Sequence, residues 1–243
     1  MQQMLSSYFI IVEKKKAALS TPFSLSLRDF VLEVHPQLQG SEFLWKEFHS
    51  FLEEIYTKTA KRELENPLVI INMPPRFSKT LWITYYVAWC FLMNPRAQFI
   101  YVTYSQKLSL QVSDEIKRVL SLYKQQCKLA KTAAQLWKTD QGGGFWATTI
   151  MGAVTGFGAG DLYASNFSGE LIIDDPQNPH SAFYQVQRDT VIRAFFDTFW
   201  SRRNNQSRIP IIVNQQRVHV EDLSGHLINA NVPHHRLCIK ALD

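Results

Sequence analysis

The feature that most restricts the fold is a set of short runs that are apolar at nearly every position. Leu68-Val69-Ile70-Ile71, Phe99-Ile100-Tyr101-Val102, Leu171-Ile172-Ile173 and Ile209-Pro210-Ile211-Ile212-Val213 lack the alternation of a half-solvated sheet. Strands of this kind are buried on both faces. The segments between them carry apolar residues at helical spacing, as in Leu108, Val112, Ile116, Val119 and Leu120, or are apolar throughout, as from Trp82 to Met93. The alternation predicts an α/β fold with a mainly parallel central sheet flanked by helices. Strands are expected at 68–72, 98–103, 171–174, 209–213 and 236–240. Helices are expected at about 80–93, 106–124, 181–200 and 221–229. Residues 134–169, rich in Gly, Thr and aromatics, suit short antiparallel pieces and loops. Ahead of the first strand, 26–34 and 41–62 form an N-terminal helical layer, with Ser41 as a helix start.

Residues 1–24 are a poorly patterned leader, and 25–243 are long enough for one large domain with a sizeable core. Lys and Arg exceed Asp and Glu by 26 − 21 = 5, a mild bias compatible with a polyanionic partner and not diagnostic of one. Cys90, Cys127 and Cys238 are scattered and lack metal spacing, so free thiols in a reducing compartment are expected. The histidines His219, His226, His234 and His235 have no carboxylate or Cys at useful ligand spacing. No apolar run reaches transmembrane length, and Lys14-Lys15-Lys16 follow the apolar N-terminal residues instead of preceding them as in a signal peptide. Neither membrane association nor export is expected.

Chemistry concentrates in three places. The first strand runs into Met73-Pro74-Pro75-Arg76-Phe77-Ser78-Lys79-Thr80 and then an apolar helix. This is the layout of a phosphate-binding loop, although Met73 and Ser78 stand where the usual pattern has glycine. Backbone N–H groups from about Arg76 to Thr80 can converge on a phosphate at the positive end of the helix. Lys79 would reach the β- and γ-phosphates, Thr80 would offer its hydroxyl to Mg²⁺, and Arg76 would add a second cation. A plain strand, turn and helix with an exposed Lys fits the same residues. Second, Asp174 and Asp175 end a buried strand, the edge at which parallel sheets bind ligands. Asp174 would hold Mg²⁺ and Asp175 would activate water; Asp175-Pro176 also suits an ordinary surface turn. Third, Gln215-Gln216-Arg217 follow the strand at 209–213, where a polar tip can sense the γ-phosphate or simply form a polar loop.

Taken together these segments resemble the ATPase half of bacteriophage terminase large subunits. Asn72 to Thr80 is similar to the family's Arg-containing phosphate loop. Thr155-Gly156-Phe157-Gly158-Ala159-Gly160 followed by Gly169 to Pro176 resembles its Gly-rich loop and acidic strand, and Gln215 to Gly225 resembles its coupling segment. The resemblance covers about residues 40–243. It implies a P-loop NTPase fold and an ATP- and Mg²⁺-dependent motor that moves double-stranded DNA into a capsid. The implied partners are the portal protein, the small terminase subunit and further copies of the chain in a ring, in the cytoplasm of a bacterial host. The family's nuclease half is not expected here.

The chain departs from the family at Ser78, at Asp175 where many relatives have Glu, and at Phe157 where a neighbour-directed Arg can occur. Arg193, Arg202 and Arg203 are then candidates for such an Arg. Trp45 and His49, one helical turn apart, resemble an aromatic and His pair near the nucleotide base; a Trp in a helix seam is the simpler alternative. Thr103-Tyr104-Ser105, with Lys107, Lys117, Arg118, Lys124, Lys128 and Lys131 beyond it, gives a region that could face DNA, or a solvated helix face. Two other functions suit the same parts: a helicase-like DNA translocase, and a nucleotide-binding scaffold with little or no turnover.

Overall fold

The computed structural model describes residues 23–241. The leader at 1–24 therefore lies almost wholly outside the described residues. The helices are α1 (Leu27–Gln39), α2 (Glu47–Lys61), α3 (Lys79–Met93), α4 (Gln106–Leu120), α5 (Gln185–Ala194) and α6 (Leu223–Asn229). The strands are β1 (Leu68–Asn72), β2 (Gln98–Thr103), β3 (Leu129–Thr132), β4 (Leu136–Thr139), β5 (Gly144–Thr149), β6 (Leu171–Asp174), β7 (Ile211–Gln215) and β8 (His235–Cys238). They form one sheet in the order β3-β4-β5-β2-β6-β7-β1-β8. From β5 to β8 every neighbouring pair is parallel; β3 and β4 extend that sheet antiparallel.

The uniformly apolar strands divide between two cores because successive side chains point to opposite faces. Val69, Ile71, Phe99, Tyr101, Ile172 and Ile212 face α1 to α4. Leu68, Ile70, Ile100, Val102, Leu171 and Ile173 face the side of α5 and α6. Helix α3 is buried at every position from Trp82 to Leu92, which explains why its sequence shows no polar face. The N-terminal layer covers it: Phe30, Val31 and Val34 of α1 and Leu52 and Tyr56 of α2 belong to the same core.

Several boundaries differ from the sequence expectation. Helix α1 continues to Gln39, and Gly40 closes it at φ 70°. Ser41 does not start α2. Residues 41–46 are not helical, Phe43 and Trp45 pack on Trp82, and α2 begins at Glu47, where the His49 ring nitrogen Nδ1 accepts from the Lys46 N–H at 2.9 Å. The helix expected over 181–200 is broken. Tyr184 is extended, and the buried Arg188 donates to the carbonyls of Ala182 and Phe183 just before α5. A π-helical turn, Phe195–Phe199, then a 3₁₀ turn, Trp200–Arg202, end the segment. Within 134–169, β5 is not an antiparallel piece on both sides; it pairs parallel with β2 and antiparallel with β4. Strand β7 starts after Pro210, which has no N–H to donate, and continues through Asn214 and Gln215.

Candidate active site

Strand β7 lies between β1 and β6, so the Asn72–Thr80 loop and the Asp174-Asp175 tip flank it at the C-terminal edge of the sheet. The Thr80 hydroxyl donates to Asp174 Oδ2 at 3.1 Å. Lys79 Nζ stands 3.7 Å from Asp175 Oδ2 and donates to the Pro74 carbonyl at 3.4 Å. The cationic turn and the two carboxylates, about a hundred residues apart in sequence, thus close on one place. Arg76 and Ser78 both adopt positive φ, 66° and 57°, so the loop holds left-handed backbone without glycine at either position. Asp175 does the same at φ 40°. Ser78 ends the loop, and its carbonyl accepts from the Trp82 N–H at 3.0 Å to close the first turn of α3.

Asp174 is 2% exposed and heavily bonded. Tyr101 donates its phenol to Oδ2 at 2.7 Å, and the Asn214 amide donates to Oδ1 at 2.9 Å. Burial, then the neighbouring Asp175, pushes its pKa up to about 7, against the opposing bonds from Tyr101 and Thr80 and the charge of Lys79. Asp175 is raised by burial and held down by Lys79 and by the Gln216 N–H, which donates to Oδ1 at 2.9 Å. Tyr101 and Asn214 escape notice in the sequence. The one signal for Tyr101 is a lone phenol inside an apolar strand; for Asn214 it is a polar residue still in β register, opposite Asp174.

Three clefts meet this edge. One of about 430 Å³ lies over Thr80, Thr84, Tyr101, Asp174 and Asp175. A second of about 310 Å³ is lined by Phe43, Phe48, His49, Arg76, Phe77 and Ser78. The third, about 430 Å³, lies between Met73, Pro74 and Pro75 and the Gln216-Arg217 turn. A smaller cavity of about 210 Å³, lined by Arg62, Asn66 and Arg208, opens at the far, N-terminal end of β1.

The remaining expected site residues separate. His49 lines the aromatic cleft, with burial and then Lys46 pushing its pKa down to about 4. Trp45 does not line it: its ring packs edge-on against Trp82 under the Arg28 guanidinium, the helix-seam alternative. Phe77 packs on Phe48 at 5.1 Å. Gln215 is buried with its Oε1 unpaired, as is Oδ1 of Asn72 beside it. Arg217 turns away from the loop; its Nε sits 3.0 Å from both carboxylate oxygens of the buried Asp222, which also accepts from the N–H groups of Val218 and Gly225. Phe157 packs against Trp146, far from the carboxylates. Arg203 is buried, donates to the Gln206 and Ile209 carbonyls and lies over Trp200, so it holds its own loop. Arg193 is exposed on α5 and donates to the Asp189 carbonyl. Of the basic residues after β2, Lys117 pairs with Asp114 and Arg118 with Glu115.

Among the described residues no three His, Cys, Asp or Glu side chains gather as a metal site. Mg²⁺ needs fewer, since it keeps waters and takes phosphate oxygens. The adjacent Thr80 hydroxyl and Asp174 carboxylate supply hard oxygen donors of the right type, and a cation there would offset the charge that burial makes unfavourable. The three cysteines are free. No described helix is long and apolar enough to cross a membrane.

No family model and no curated protein matches the sequence. The fold is similar to that of a bacteriophage large terminase. The crystal structure of the HK97 bacteriophage large terminase matches 88% of this chain with a TM-score of 0.56 and 13% sequence identity. This chain spans 42% of the HK97 chain's length. At that identity the likeness describes the fold and leaves the chemistry to the site itself.

Proposed function

We propose that the chain is an Mg²⁺-dependent ATPase of the P-loop class, the motor domain of a phage or prophage terminase-like DNA-packaging machine. The observation that carries the proposal is the meeting of Lys79 and Thr80 with Asp175 and Asp174 at one sheet edge. Lys79, Arg76 and the backbone N–H groups from Pro75 to Thr80 that carry a hydrogen bind the β- and γ-phosphates at the start of α3. Thr80 and Asp174 would hold Mg²⁺, and a cation bound there would supply positive charge to the phosphates. Asp175 orients the attacking water and accepts its proton, a task that a carboxylate raised above its ordinary range suits. The aromatic cleft beside Arg76 to Ser78 takes the base, with His49, Phe48 and Phe77 in place of Trp45.

Coupling begins at Gln216, whose N–H holds Asp175; the Arg217–Asp222 turn carries any shift of that contact to α6. Double-stranded DNA, the portal protein, the small terminase subunit and a ring of identical subunits in the bacterial host's cytoplasm are the partners that a terminase-like role implies. The test is release of inorganic phosphate from ATP with Mg²⁺. Activity above background is expected, with a loss of at least about a hundredfold in Lys79→Ala and Asp175→Ala. Hydrolysis unchanged in both variants contradicts the assignment. Hydrolysis of ATP by none of the proteins, with nucleotide still bound, favours the scaffold alternative that Ser78 and its left-handed backbone suggest.

A further inference from the structure

A groove of about 500 Å³ is lined by Gln98, Lys138, Phe157, Arg202 and Asn204 among others, with no carboxylate in its lining. Gln98 begins β2, so the groove opens at the N-terminal end of the parallel strands, whereas Thr80 meets Asp174 at the C-terminal end. It is a separate feature from the proposed nucleotide site. The Gly-rich run from Gly156 to Gly160, which the proposed ATPase leaves unused, forms one wall. The Ala159 N–H donates to the Arg202 carbonyl at 2.8 Å and the Gly160 N–H to the Gln98 carbonyl at 2.9 Å, which fixes the run against both residues. The N–H groups of Gly156, Phe157 and Gly158, just before these, have no backbone acceptor among the described residues.

The two cations of the groove are unengaged. Lys138 is exposed on β4, between the inward-turned Trp137 and Thr139. Arg202 is half-buried, and its Nε is sealed from solvent without a hydrogen-bond partner. Neither residue belongs to any ion pair among the described residues. Arg203, next in sequence, is treated differently: its guanidinium donates to the Gln206 and Ile209 carbonyls and lies over the Trp200 ring. The fold thus satisfies one arginine internally and leaves its neighbour to the groove. A guanidinium without an acceptor, beside a second free cation and no acid, calls for an anion from outside.

We infer that this groove is a binding site for a small phosphate monoester, with its phosphate held by Lys138 and Arg202 and its organic part against Phe157. Two cations match the charge of a phosphate monoester, which approaches −2 near neutral pH, whereas a carboxylate leaves one of them unmatched. Guanidinium, ammonium and backbone N–H groups are all donors, and a phosphate offers oxygens to several of them at once. The groove holds more than a bare phosphate fills and lies in the size range of small-molecule sites. Phe157, fixed edge-on against Trp146 at 5.6 Å, supplies an apolar wall for the remainder.

The test is isothermal titration of the chain with inorganic phosphate and with phenyl phosphate, at constant ionic strength and without nucleotide or Mg²⁺. Phenyl phosphate is expected to bind more tightly than inorganic phosphate. Lys138→Ala and Arg202→Gln are each expected to weaken it at least about tenfold, and Lys79→Ala to leave that binding in place. Lys138 stands opposite Lys131 in the β3–β4 hairpin, so removing it relieves a like-charge contact. Its variant should keep or raise the melting temperature, and its lost affinity is then a lost contact and not a lost fold. Absence of binding by the parent chain, or unchanged affinity in both groove variants, overturns the inference. Binding abolished by Lys79→Ala alone overturns it too, since the anion then sits at the loop between β1 and α3. Inorganic phosphate bound as tightly as phenyl phosphate overturns the monoester assignment in favour of free phosphate. Lys138 and Arg202 take no part in the proposed ATP site, so failure here and failure of the ATPase assignment are separately visible.

Discussion

At the scale of single residues, Ser78 carries the clearest tension. It holds φ 57° at the end of the loop between β1 and α3, a conformation that is unfavourable by roughly 1–2 kcal/mol for a residue with a Cβ. Ser78→Gly removes that strain but adds freedom to the unfolded chain, so a net stabilisation of about 0.5 kcal/mol is expected by denaturant titration. Asp174 gives a pH signature. Its pKa is raised to about 7 from an ordinary 3.8, so the folded chain holds this proton more tightly than the unfolded chain. The stability it contributes is therefore fully present below about pH 4 and is lost as pH rises through about 7. Thermal melts of the ligand-free protein should show this decline, and Asp174→Asn should reduce it and raise the melting temperature at pH 8. Since the same carboxylate is proposed to hold Mg²⁺, stabilisation by Mg²⁺ and ATP should be larger at pH 8 than at pH 6 in the parent and small in the variant. That Lys79 and Thr80 meet Asp174 and Asp175 was legible from a loop leaving one buried strand and a carboxylate pair ending another. The place of Trp45 was not, because helical spacing to His49 does not reveal that residues 41–46 lie outside any helix and that the indole packs on Trp82.

At the scale of elements, β7 and the turn after it join the two halves of the site. Asn214 bonds Asp174, the Gln216 N–H bonds Asp175, and Asp222 gathers Arg217, Val218 and Gly225 before α6. Asp222 is 1% exposed and caps α6, so Asp222→Ala should destabilise by about 2–3 kcal/mol, measured by urea unfolding. Arg217→Ala leaves the Asp222 backbone bonds in place; a smaller loss of stability is expected, with ATP binding kept and hydrolysis reduced. The parallel strands could be read from the sequence because a run such as Leu171-Ile172-Ile173 can be fully buried only with helices on both sides. Two features could not. Strand β5 alternates too weakly, with Gly144 and two threonines, to announce a parallel partner for β2. The breaks around α5 depend on Arg188 folding back onto carbonyls, a long-range use of a residue that looks like an ordinary helix surface.

At the scale of the whole molecule, the loop after β1 and the two carboxylates that end β6 meet at the C-terminal edge of the sheet. Among the described residues, Arg203 is locked in its own loop and Arg193 donates to the Asp189 carbonyl on α5, so neither reaches the loop between β1 and α3. An arginine supplied by a neighbouring copy is worth about 10³–10⁵ in rate in related chemistry, so hydrolysis per chain should be slow in dilute solution and rise with protein concentration. The measurement that bears most directly on the central claim is a crystal structure with a non-hydrolysable ATP analogue and Mg²⁺. The γ-phosphate is expected between Lys79 and Asp175, with Mg²⁺ held between Thr80 and Asp174. A nucleotide seated elsewhere, with Lys79 still turned onto the Pro74 carbonyl, contradicts the claim.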